Sequence, residues 1–295
     1  MTVGAVIVRW RGGAEIERCL DALGLQHGGH LARIVLVDSG SGDGGAERLA
    51  SAYPDVEVVA LPENRSFAHA ANSGVAAVGT DLVLLLNPDT EPAPDVIDRL
   101  VGALADRPRA AGVVPLLVNP DGSSQHRWQL RRLPTAARLA LGLPGAPAFS
   151  TSPTSPVEVA QPAAAAWLIR RDVWSALGGF DEHFAPAWWE DVDLCARLRM
   201  LLGDPLGPAD RGFVVVPDAE VRHRGGSSLD ELDRSAFLIA YASNLLRYAA
   251  RHHAARLAPI RAGLRLTLVG RAILRPRSAR NHLAAARAVS RRTEA

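Results

Sequence analysis

The sequence predicts an α/β protein whose sheet is mostly parallel and covered by helices on both faces. Three observations lead to this prediction. Short β-branched runs alternate with helical patterns along the first third of the chain. The 295 residues suffice for a sizeable core. A content of 48% hydrophobic and 22% charged residues is typical of a folded chain.

Four strand and helix pairs make up the first third of the chain. The strands are predicted at VGAVIV (3–8), RIVLVD (33–38), VEVVAL (56–61) and DLVLLLN (81–87). The helices after them are predicted at AEIERCLDAL, GGAERLASAY, SFAHAANSGVAAV and PDVIDRLVGAL. Because ligands bind beyond the carboxyl ends of the strands in such sheets, we expect the functional residues just after each strand.

The rest of the chain continues this pattern after a loop rich in Pro, Ser and Gly at 143–156. We predict, in order, the strand AAAAWLI, the helix RRDVWSAL, the turn GGFDEHF, the acidic stretch WWEDVDL at a helix start, and the strand GFVVVP (212–217). The last sixty or so residues predict two or three helices with Leu and Ala on one face and Arg on the other.

Composition and simple motifs exclude several classes of protein. Cys19 and Cys195 lie far apart without a CxxC motif, which favours buried thiols in a reducing compartment. No signal peptide is visible, and no apolar run approaches the roughly 18 to 20 residues of a membrane span. We therefore expect a cytoplasmic protein. Nucleic-acid binding is not expected, because no known motif accompanies the arginines and aromatic residues make up 5% of the chain.

Three polar residues at predicted strand ends are candidates for binding a ligand. Asp38 ends a strand before the small residues SGSGDGG, and Asp89 follows the most hydrophobic strand, where an oxygen ligand for a divalent cation is expected. His223 follows the last predicted strand and could join that cation site. The alternatives are ordinary turns at the two aspartates and a surface position for the histidine.

The stretch WWEDVDL places Glu190, Asp191 and Asp193 at a predicted helix start. Acids in a first turn favour the helix dipole and cap free N–H groups. Three acids so close together exceed what capping requires, and like charges at that spacing raise at least one pKa, which suits a general base. Asp193 is expected to support the helix start or to pair with Arg197.

In their order along the chain, these motifs resemble the family 2 glycosyltransferases with the GT-A fold. The resemblance rests on VDSGSGDG, NRSFAHAANSG (64–74), NPDT, GGFDEHF, WWEDVDL and VRHRGGS, and it covers residues 3 to 228. It is strongest toward the bacterial rhamnosyltransferase-like branch, which builds cell-surface polysaccharides and lipid-linked glycans.

The resemblance implies a Rossmann-like nucleotide-binding half with a mixed central sheet, followed by C-terminal helices. We expect a GT-A domain over residues 1–230, with the nucleotide-binding half at about 1–115 and the acceptor half at about 116–230. A basic helical extension would cover 231–295. Asp38 would then bond the pyrimidine base, and the other donor-binding residues would be Val8, Trp10, Asn64, Asn72 and Asn87. Asn64 and Asn72 would either contact the nucleotide or fix the loop around it. Ser66 departs from the family's glycine.

The same resemblance assigns the remaining site residues. Asp191 would be the general base, with Glu190 beside it. Asp89 and His223 would hold Mg²⁺ or Mn²⁺, although Asn87 replaces the first acid of the family's DxD motif. Trp188 or Trp189 would form the surface that holds the acceptor sugar, with core packing as the alternative.

The function implied is an inverting transfer of a sugar, such as rhamnose from dTDP-rhamnose, from a dTDP- or UDP-sugar to a glycan or a polyprenyl-linked acceptor. Two alternatives stay open at this point: a sugar-phosphate nucleotidyltransferase, and a non-catalytic relative that binds nucleotide sugars. A homodimer is also open. The basic tail either packs on the catalytic domain or contacts the inner face of the membrane.

Overall fold

The computed structural model of the protein describes residues 1–203, 211–225 and 233–290. Its strands are β1 Val3–Arg9, β2 Leu31–Asp38, β3 Val56–Ala60, β4 Leu82–Leu86, β5 Thr90–Pro92, β6 Gly112–Val118, β7 Leu130–Arg131, β8 Val157–Val159, β9 Gln161–Pro162, β10 Ala166–Arg170 and β11 Phe213–His223. Its α-helices are α1 Ala14–Gly24, α2 Gly45–Ala52, α3 Phe67–Val78, α4 Val96–Ala105, α5 His126–Gln129, α6 Ala136–Ala140, α7 Arg171–Leu177, α8 Glu190–Leu201, α9 Arg234–His252, α10 Leu257–Leu274 and α11 Ala279–Ala288. All four predicted strand and helix pairs are present.

A mixed sheet forms the centre of the molecule, as predicted. Its strand order is β3-β2-β1-β4-β10-β6-β11-β5, and β8 pairs with β11. The first four strands are parallel, whereas β10 runs antiparallel to both of its neighbours. The antiparallel insertion pairs Ala166, at the start of β10, with Leu86, at the end of β4. The chain entering β10 therefore lies at the same edge as the carboxyl ends of the parallel strands.

The sheet is buried on both faces because helices cover each side. Strands β1, β4 and β6 are buried at every position, and two separate hydrophobic clusters pack against the two faces. Helix α3 approaches the sheet closely at Gly74, where an added Cβ would lie 2.4 Å from a methyl carbon of Val6. Cys19 and Cys195 are buried free thiols within these clusters, as predicted.

Strand β11 extends beyond its predicted end. Residues 212–217 were the expected strand, but β11 continues to His223 after an interruption between Val216 and Glu220. Pro217 explains the interruption, because proline has no N–H to donate to the neighbouring strand. His223 is thus the last residue of a central strand, and it pairs with Thr90 of β5, a short strand that the sequence pattern did not predict.

Helices α9, α10 and α11 form a third hydrophobic cluster, which also includes Phe184, Trp189 and Val192 from the region around the start of α8. The basic helical extension therefore packs on the predicted GT-A domain. The predicted boundary between them, at residues 230 and 231, lies outside the described residues. Within the part of the chain that the structure describes, no helix combines the length and the apolar character needed to cross a membrane.

Candidate active site

The predicted site residues converge on one edge of the sheet. Asp38 ends β2, and Asp89 follows β4 and immediately precedes β5, which pairs with the end of β11. The backbone N–H of Asn87 donates to the carbonyl of Ala165. The residue before it, Ala164, donates its N–H to Asp191 at 3.4 Å. The antiparallel β10 is what brings the acids of α8 to the same edge as the strand ends.

Asp38 is buried in an ion-pair cluster. The guanidinium of Arg9 pairs with Asp38 and reaches Asp43 at 2.7 Å, while the N–H of Ser41 donates to the other Asp38 oxygen at 2.8 Å. These hydrogen bonds from Arg9, together with one from the N–H of Gly45, lower the pKa of Asp43 to about 2. Arg9 is 1% exposed and had no role in the sequence prediction. The available sequence signal was an arginine that ends one apolar strand and an aspartate that ends the next, and the parallel register pairs the two.

A cavity of about 340 Å³ opens beside Asp38. It is lined by Asp38, Gly40, Ser41, Gly42, Asp43, Gly44, Ala46, Glu47, Ala60, Leu61 and Pro62. Val8 is buried in β1, paired with Val37, and does not line this cavity. Trp10 is half-buried and lies under the guanidinium of Arg11, 5.1 Å from the ring centroid. The cavity has the size and the polar lining to hold a nucleobase and its sugar.

Asn64 and Ser66 lie in the loop that enters α3. Asn64 accepts a hydrogen bond from the hydroxyl of Ser39 at 3.0 Å, which ties this loop to the end of β2. Ser66 has an extended backbone, with φ at −171°, and its hydroxyl caps α3 by accepting from the N–H of His69. The departure from the family's glycine therefore introduces no strain, because the position does not need a positive φ.

Asn72 fastens α3 to the GGFDE turn. Its amide nitrogen donates to the carbonyl of Phe180 and to Glu182, and its amide oxygen accepts from the N–H of Phe180 at 3.0 Å. Both ends of the side chain are therefore used within the protein. This geometry is that of a residue that fixes the loop, which was one of the two roles the resemblance allowed.

Asp89 and His223 are both buried and face each other. His223 Nε2 lies 3.5 Å from Asp89 Oδ1, and its other nitrogen, Nδ1, is 2.8 Å from Gln125 Oε1. The Gln125 amide nitrogen donates to Asn119 and to the carbonyl of His223, so its oxygen must be the acceptor. His223 Nδ1 therefore carries a proton, and Nε2 is directed toward Asp89.

A second cavity, of about 230 Å³, adjoins Asp89 and is rich in positive charge. It is lined by Arg18, Asp89, Glu91, Pro120, Arg222 and Arg224. Glu91 pairs with two of these arginines. Asn87 is half-buried at the end of β4, and its carbonyl accepts from the hydroxyl of Thr90 at 2.6 Å. Three arginines and two carboxylates line the cavity, and this excess of positive charge suits an anionic ligand.

Asp191 lies at the N-terminus of α8 and accepts hydrogen bonds from the Gln161 side chain at 3.2 Å and from the Ala164 N–H. Burial raises the pKa of its carboxyl above the ordinary value, and the positive charge of Arg131 opposes that rise. The carboxyl is held in place by neutral donors and is still basic enough to accept a proton, which is what a general base requires.

The neighbouring acids have different surroundings. Glu190 is 6% exposed, and burial together with the charge of Asp191 raises its pKa well above the ordinary value. One of its carboxyl oxygens is buried without a hydrogen-bond partner. Asp193 is completely buried and pairs with Arg197 at 2.7 Å, Arg251 at 3.3 Å and His252 at 2.7 Å. The predicted pairing of Asp193 with Arg197 is confirmed.

The two tryptophans before these acids are not equivalent. Trp189 is 2% exposed and packs between Tyr241 and Tyr248 of α9, so its ring offers no open face to a sugar. Trp188 is half-buried and meets Phe237 edge to face. Both have a positive φ, at 72° and 81°. Of the pair, only Trp188 has exposed surface for an acceptor.

The side chain of Asn244 on α9 holds the turn before α8. The sequence did not predict this contact. Its amide nitrogen lies within 2.9 to 3.2 Å of three carbonyl oxygens, those of Ala185, Ala187 and Trp188. Because a residue with a positive φ and a large side chain is strained, the turn needs such support from outside. A polar residue on an otherwise apolar helix face was the available signal.

Sequence comparison relates the chain to known glycosyltransferases. The chain is 31% identical, across 92% of its length and 92% of theirs, to N-acetylglucosaminyl-diphospho-decaprenol L-rhamnosyltransferases from two strains of Mycobacterium tuberculosis. A pre-mycofactocin glycosyltransferase from the same species is 33% identical over 56% of this chain and 33% of its own.

Solved structures share the fold at lower identity. GalNAc-T7, solved with UDP, GalNAc and Mn²⁺, superposes with a TM-score of 0.62 at 17% identity, covering 85% of this chain and 50% of that one. S. aureus TarS 1–349, solved with UDP, gives 0.56 at 13% identity, covering 92% and 72%. The sequence profile described as Glycosyl transferase family 2 matches residues 5–176. With the GT-A fold and the ordered strand-end motifs in place, the chain belongs to glycosyl transferase family 2.

Proposed function

We propose that the protein transfers a sugar from a nucleotide-sugar donor to a lipid-linked acceptor, with inversion at the anomeric carbon. The observation that carries this proposal is the meeting of Asp191 with the Asp89–His223 pair and the Asp38 cavity at one sheet edge. An inverting transfer needs a base on the face of the sugar opposite the leaving nucleotide, and the presence of Asp191 at the same edge as the Asp89–His223 pair supports this assignment.

In this mechanism Asp191 accepts the proton of the acceptor hydroxyl while that oxygen attacks the anomeric carbon. The bond to the nucleotide diphosphate breaks as the new glycosidic bond forms. Gln161 and the Ala164 N–H keep the carboxylate oriented during the attack. The arginine-lined cavity beside Asp89 would bind the diphosphate, and the cavity beside Asp38 would bind the base and ribose.

Asp89 and His223 fit a divalent cation such as Mg²⁺ or Mn²⁺. A carboxylate oxygen and an imidazole nitrogen 3.5 Å apart lie close to the separation of two neighbouring ligands on one ion. No group of three or more His, Cys, Asp and Glu suited to a metal occurs among the described residues, so the donor diphosphate would supply further ligands. When bound, the cation would neutralise charge on the leaving diphosphate.

The donor that we propose is dTDP-rhamnose, with a UDP-sugar as the alternative. Rhamnose is the sugar named for the M. tuberculosis relatives, and the acceptor named for them is a diphospho-decaprenol glycan. Both solved relatives carry UDP. The experiment is a turnover assay with dTDP-, UDP- and GDP-sugars and a polyprenyl-diphospho-N-acetylglucosamine acceptor, with nucleotide release and the anomeric configuration of the product as readouts.

The decisive variant in that assay is Asp191→Asn, with Asp172→Asn on α7 as the matched control. Loss of a general base is expected to lower kcat by roughly 100- to 10,000-fold while nucleotide binding persists. Undiminished turnover in Asp191→Asn would refute the mechanism. If the wild type binds nucleotide but shows no turnover with any donor, the non-catalytic alternative replaces the proposal.

The cation is tested without turnover, by electron paramagnetic resonance of Mn²⁺ in the presence of UDP or dTDP. We expect Asp89→Asn and His223→Gln each to weaken Mn²⁺ binding at least about tenfold, since each removes or neutralises a ligand. Glu220→Gln, at an exposed position on the same strand, is the control. Equal Mn²⁺ binding by all three variants would remove the cation from the proposal.

We also propose that helix α10 brings the protein to the inner face of the membrane, where a lipid-linked acceptor would be found. Its exposed face carries Ala262, Leu266 and Ile273 at helical spacing, and Leu266 and Ile273 are 73% and 75% exposed. Exposed arginines border this face at positions 265, 275, 277 and 280, and no acid occurs between residues 234 and 290. Apolar residues flanked by arginines suit an anionic lipid surface.

Sedimentation with phosphatidylglycerol vesicles tests this contact. The Leu266→Asp, Ile273→Asp double variant is expected to stay in the supernatant, whereas Leu25→Asp, at an exposed leucine after α1, should sediment like the wild type. Binding that is unchanged in the double variant would refute the contact. Sedimentation velocity without vesicles distinguishes a monomer from the homodimer that the sequence left open.

A further inference from the structure

The segment from Gln125 to Arg131, which comprises α5 and β7, touches both halves of the active site. Gln125 bonds His223 at one end, and Arg131 acts on Asp191 at the other. The sequence analysis assigned no role to this segment. The contacts along it define one continuous path from the cation ligands to the base.

At the first end, two residues hold the imidazole of His223. Gln125 accepts from Nδ1 at 2.8 Å and donates to the His223 carbonyl at 2.7 Å, which fixes the ring by both its side chain and its backbone. Trp128 stacks on the same ring, with centroids 5.3 Å apart and an interplanar angle of 26°. Because the hydrogen bond sets the rotation of the ring and the indole covers one face, Nε2 has a single direction.

At the other end, Arg131 connects the indole to the base. Its guanidinium carbon lies 5.9 Å from the centroid of the Trp128 ring, and its Nε is buried without a hydrogen-bond partner. Arg131 pairs across β7 and β9 with Gln161, the residue whose side chain donates to Asp191. Charge from Arg131 and a hydrogen bond from its strand partner therefore reach the same carboxylate.

The segment is rigid because its middle is anchored to the sheet. Gln129 is completely buried; its amide oxygen accepts from the N–H of Leu117, and its amide nitrogen donates to the carbonyl of Pro115 on β6. Its own carbonyl accepts from the N–H of Ala163, just before β10. A helix of four residues would not hold its position by itself, and these three bonds supply the support.

We propose that Gln125, Trp128 and Arg131 are positioning residues that set the His223 imidazole and the Asp191 carboxylate relative to each other across the bound donor. This inference rests on the proposed function. A fixed separation matters because the base and the leaving diphosphate must stand on opposite sides of one carbon atom, and displacement of either by about 1 Å costs much of the rate.

The charged and titratable groups acting on Asp191 come from three elements. They are Arg131 on β7, Glu190 and Cys195 on α8, and Tyr241 on α9. Among these groups Arg131 carries the positive charge. Its removal should therefore shift the acidic limb of the pH–rate profile to higher pH, because less positive charge remains to favour the ionised carboxylate.

The experiment uses Trp128→Leu, Arg131→Met and the double variant, with Arg127→Met as the matched control on the exposed side of the same segment. We expect Trp128→Leu to weaken Mn²⁺ binding in the presence of nucleotide by about tenfold or more. Arg131→Met should shift the acidic limb of kcat/KM upward in pH, and Arg131→Lys should restore its position in part. The two effects on kcat should be non-additive in the double variant.

Three results would overturn the inference while the proposed function stands. The first is an acidic limb of the kcat/KM profile that is the same in Arg131→Met and the wild type. The others are unchanged Mn²⁺ binding in Trp128→Leu and strictly additive effects of the two substitutions on kcat. Failure of the proposed function is distinct, because it appears as absence of wild-type turnover with every donor. Thermal unfolding of each variant separates these results from loss of the fold.

Discussion

Three acids within four positions of α8 are placed in three different environments. Asp191 is bonded by neutral donors at the site edge, Glu190 is buried with one oxygen unpaired, and Asp193 is surrounded by Arg197, Arg251 and His252. The three carboxyl groups therefore differ in their roles because they have different hydrogen-bond and ion-pair partners. Glu190 opposes folding the most when it is ionised, because burial and the charge of Asp191 both disfavour its carboxylate form.

Replacing Glu190 with Gln should stabilise the protein at neutral pH. The folded-state pKa lies well above the ordinary 4.5, so the stability associated with the protonated acid is complete below about pH 4.5 and is lost as the pH rises. Glutamine carries no charge at any pH. We expect Glu190→Gln to gain about 1 kcal/mol at pH 7 and nothing near pH 4. Chemical denaturation at both pH values measures this, and an equal difference at the two would contradict it.

The Arg9 cluster predicts an effect of the opposite sign. Hydrogen bonding to Arg9 lowers the pKa of Asp43 to about 2, so the contribution to stability is present above the ordinary 3.8 and is lost as the pH falls toward 2. We expect Asp43→Asn to cost about 1 kcal/mol at pH 7, a value reduced for the 38% exposure of the Asp43 side chain. Asp55→Asn, at an exposed position, is the control for denaturation. Equal stability of the two variants would show that the pair contributes nothing.

At the scale of elements, helix starts and loops are fixed by single polar side chains. Helix α3 begins at Phe67 because the buried Ser66 hydroxyl accepts the His69 N–H. The same helix then holds the GGFDE turn through Asn72. One helix therefore connects the loop beside the Asp38 cavity with the turn that precedes the acids of α8.

Removing the hydroxyl that caps α3 should destabilise the fold without changing the residues proposed to carry out the reaction. We expect Ser66→Ala to cost about 1 kcal/mol in free energy of unfolding, because the N–H of His69 in the first turn loses its acceptor. Ser73→Ala is the matched control, since its hydroxyl only returns to the His69 carbonyl of its own helix. The prediction fails if both substitutions cost the same.

Helix α9 acts on the site through Asn244. We expect Asn244→Ala to lower the free energy of unfolding by about 2 kcal/mol, because three carbonyls of the turn before α8 lose their shared donor. It should also lower kcat more than it raises KM, since the turn leads directly to Asp191. Asn281→Ala on α11 is the control. Normal kcat in a destabilised Asn244→Ala would limit the residue to a purely structural role.

At the scale of the whole molecule, the C-terminal helices complete the core behind the acids at the start of α8. Phe184, Trp189 and Val192 are buried against α9, α10 and α11 rather than against the sheet. The predicted catalytic domain and the predicted extension are therefore consecutive in sequence but share one hydrophobic cluster. The same helices carry the arginine-bordered face proposed to meet the membrane.

This packing predicts a single cooperative unfolding transition for the full chain. A chain truncated after residue 230 should be insoluble or should lose nucleotide binding, because Trp189 and its neighbours would lie exposed. Calorimetry of the full chain and soluble yield of the truncated chain measure the two outcomes. A truncated chain that folds and binds nucleotide normally would identify the helices as an independent domain.

The sequence by itself determined the α/β class, the four leading strand and helix pairs, the family and the positions of the candidate site residues. These features follow from hydrophobic periodicity and from short motifs, which are local in the chain. Periodicity also predicted where β10 lies, but its antiparallel direction depends on which strands it enters between. That direction brings Asp191 to the edge of the sheet where Asp38 and Asp89 lie.

Only the tertiary structure decided which side chains support the site. Arg9 reaches Asp43, Gln125 reaches His223 and Asn244 reaches the turn before α8, over separations of 34, 98 and 56 to 59 residues. No local pattern encodes such contacts, because they depend on how strands are ordered and where helices cross the sheet edge. The same packing buried Trp189 and left Trp188 partly exposed, although the two are adjacent and chemically identical.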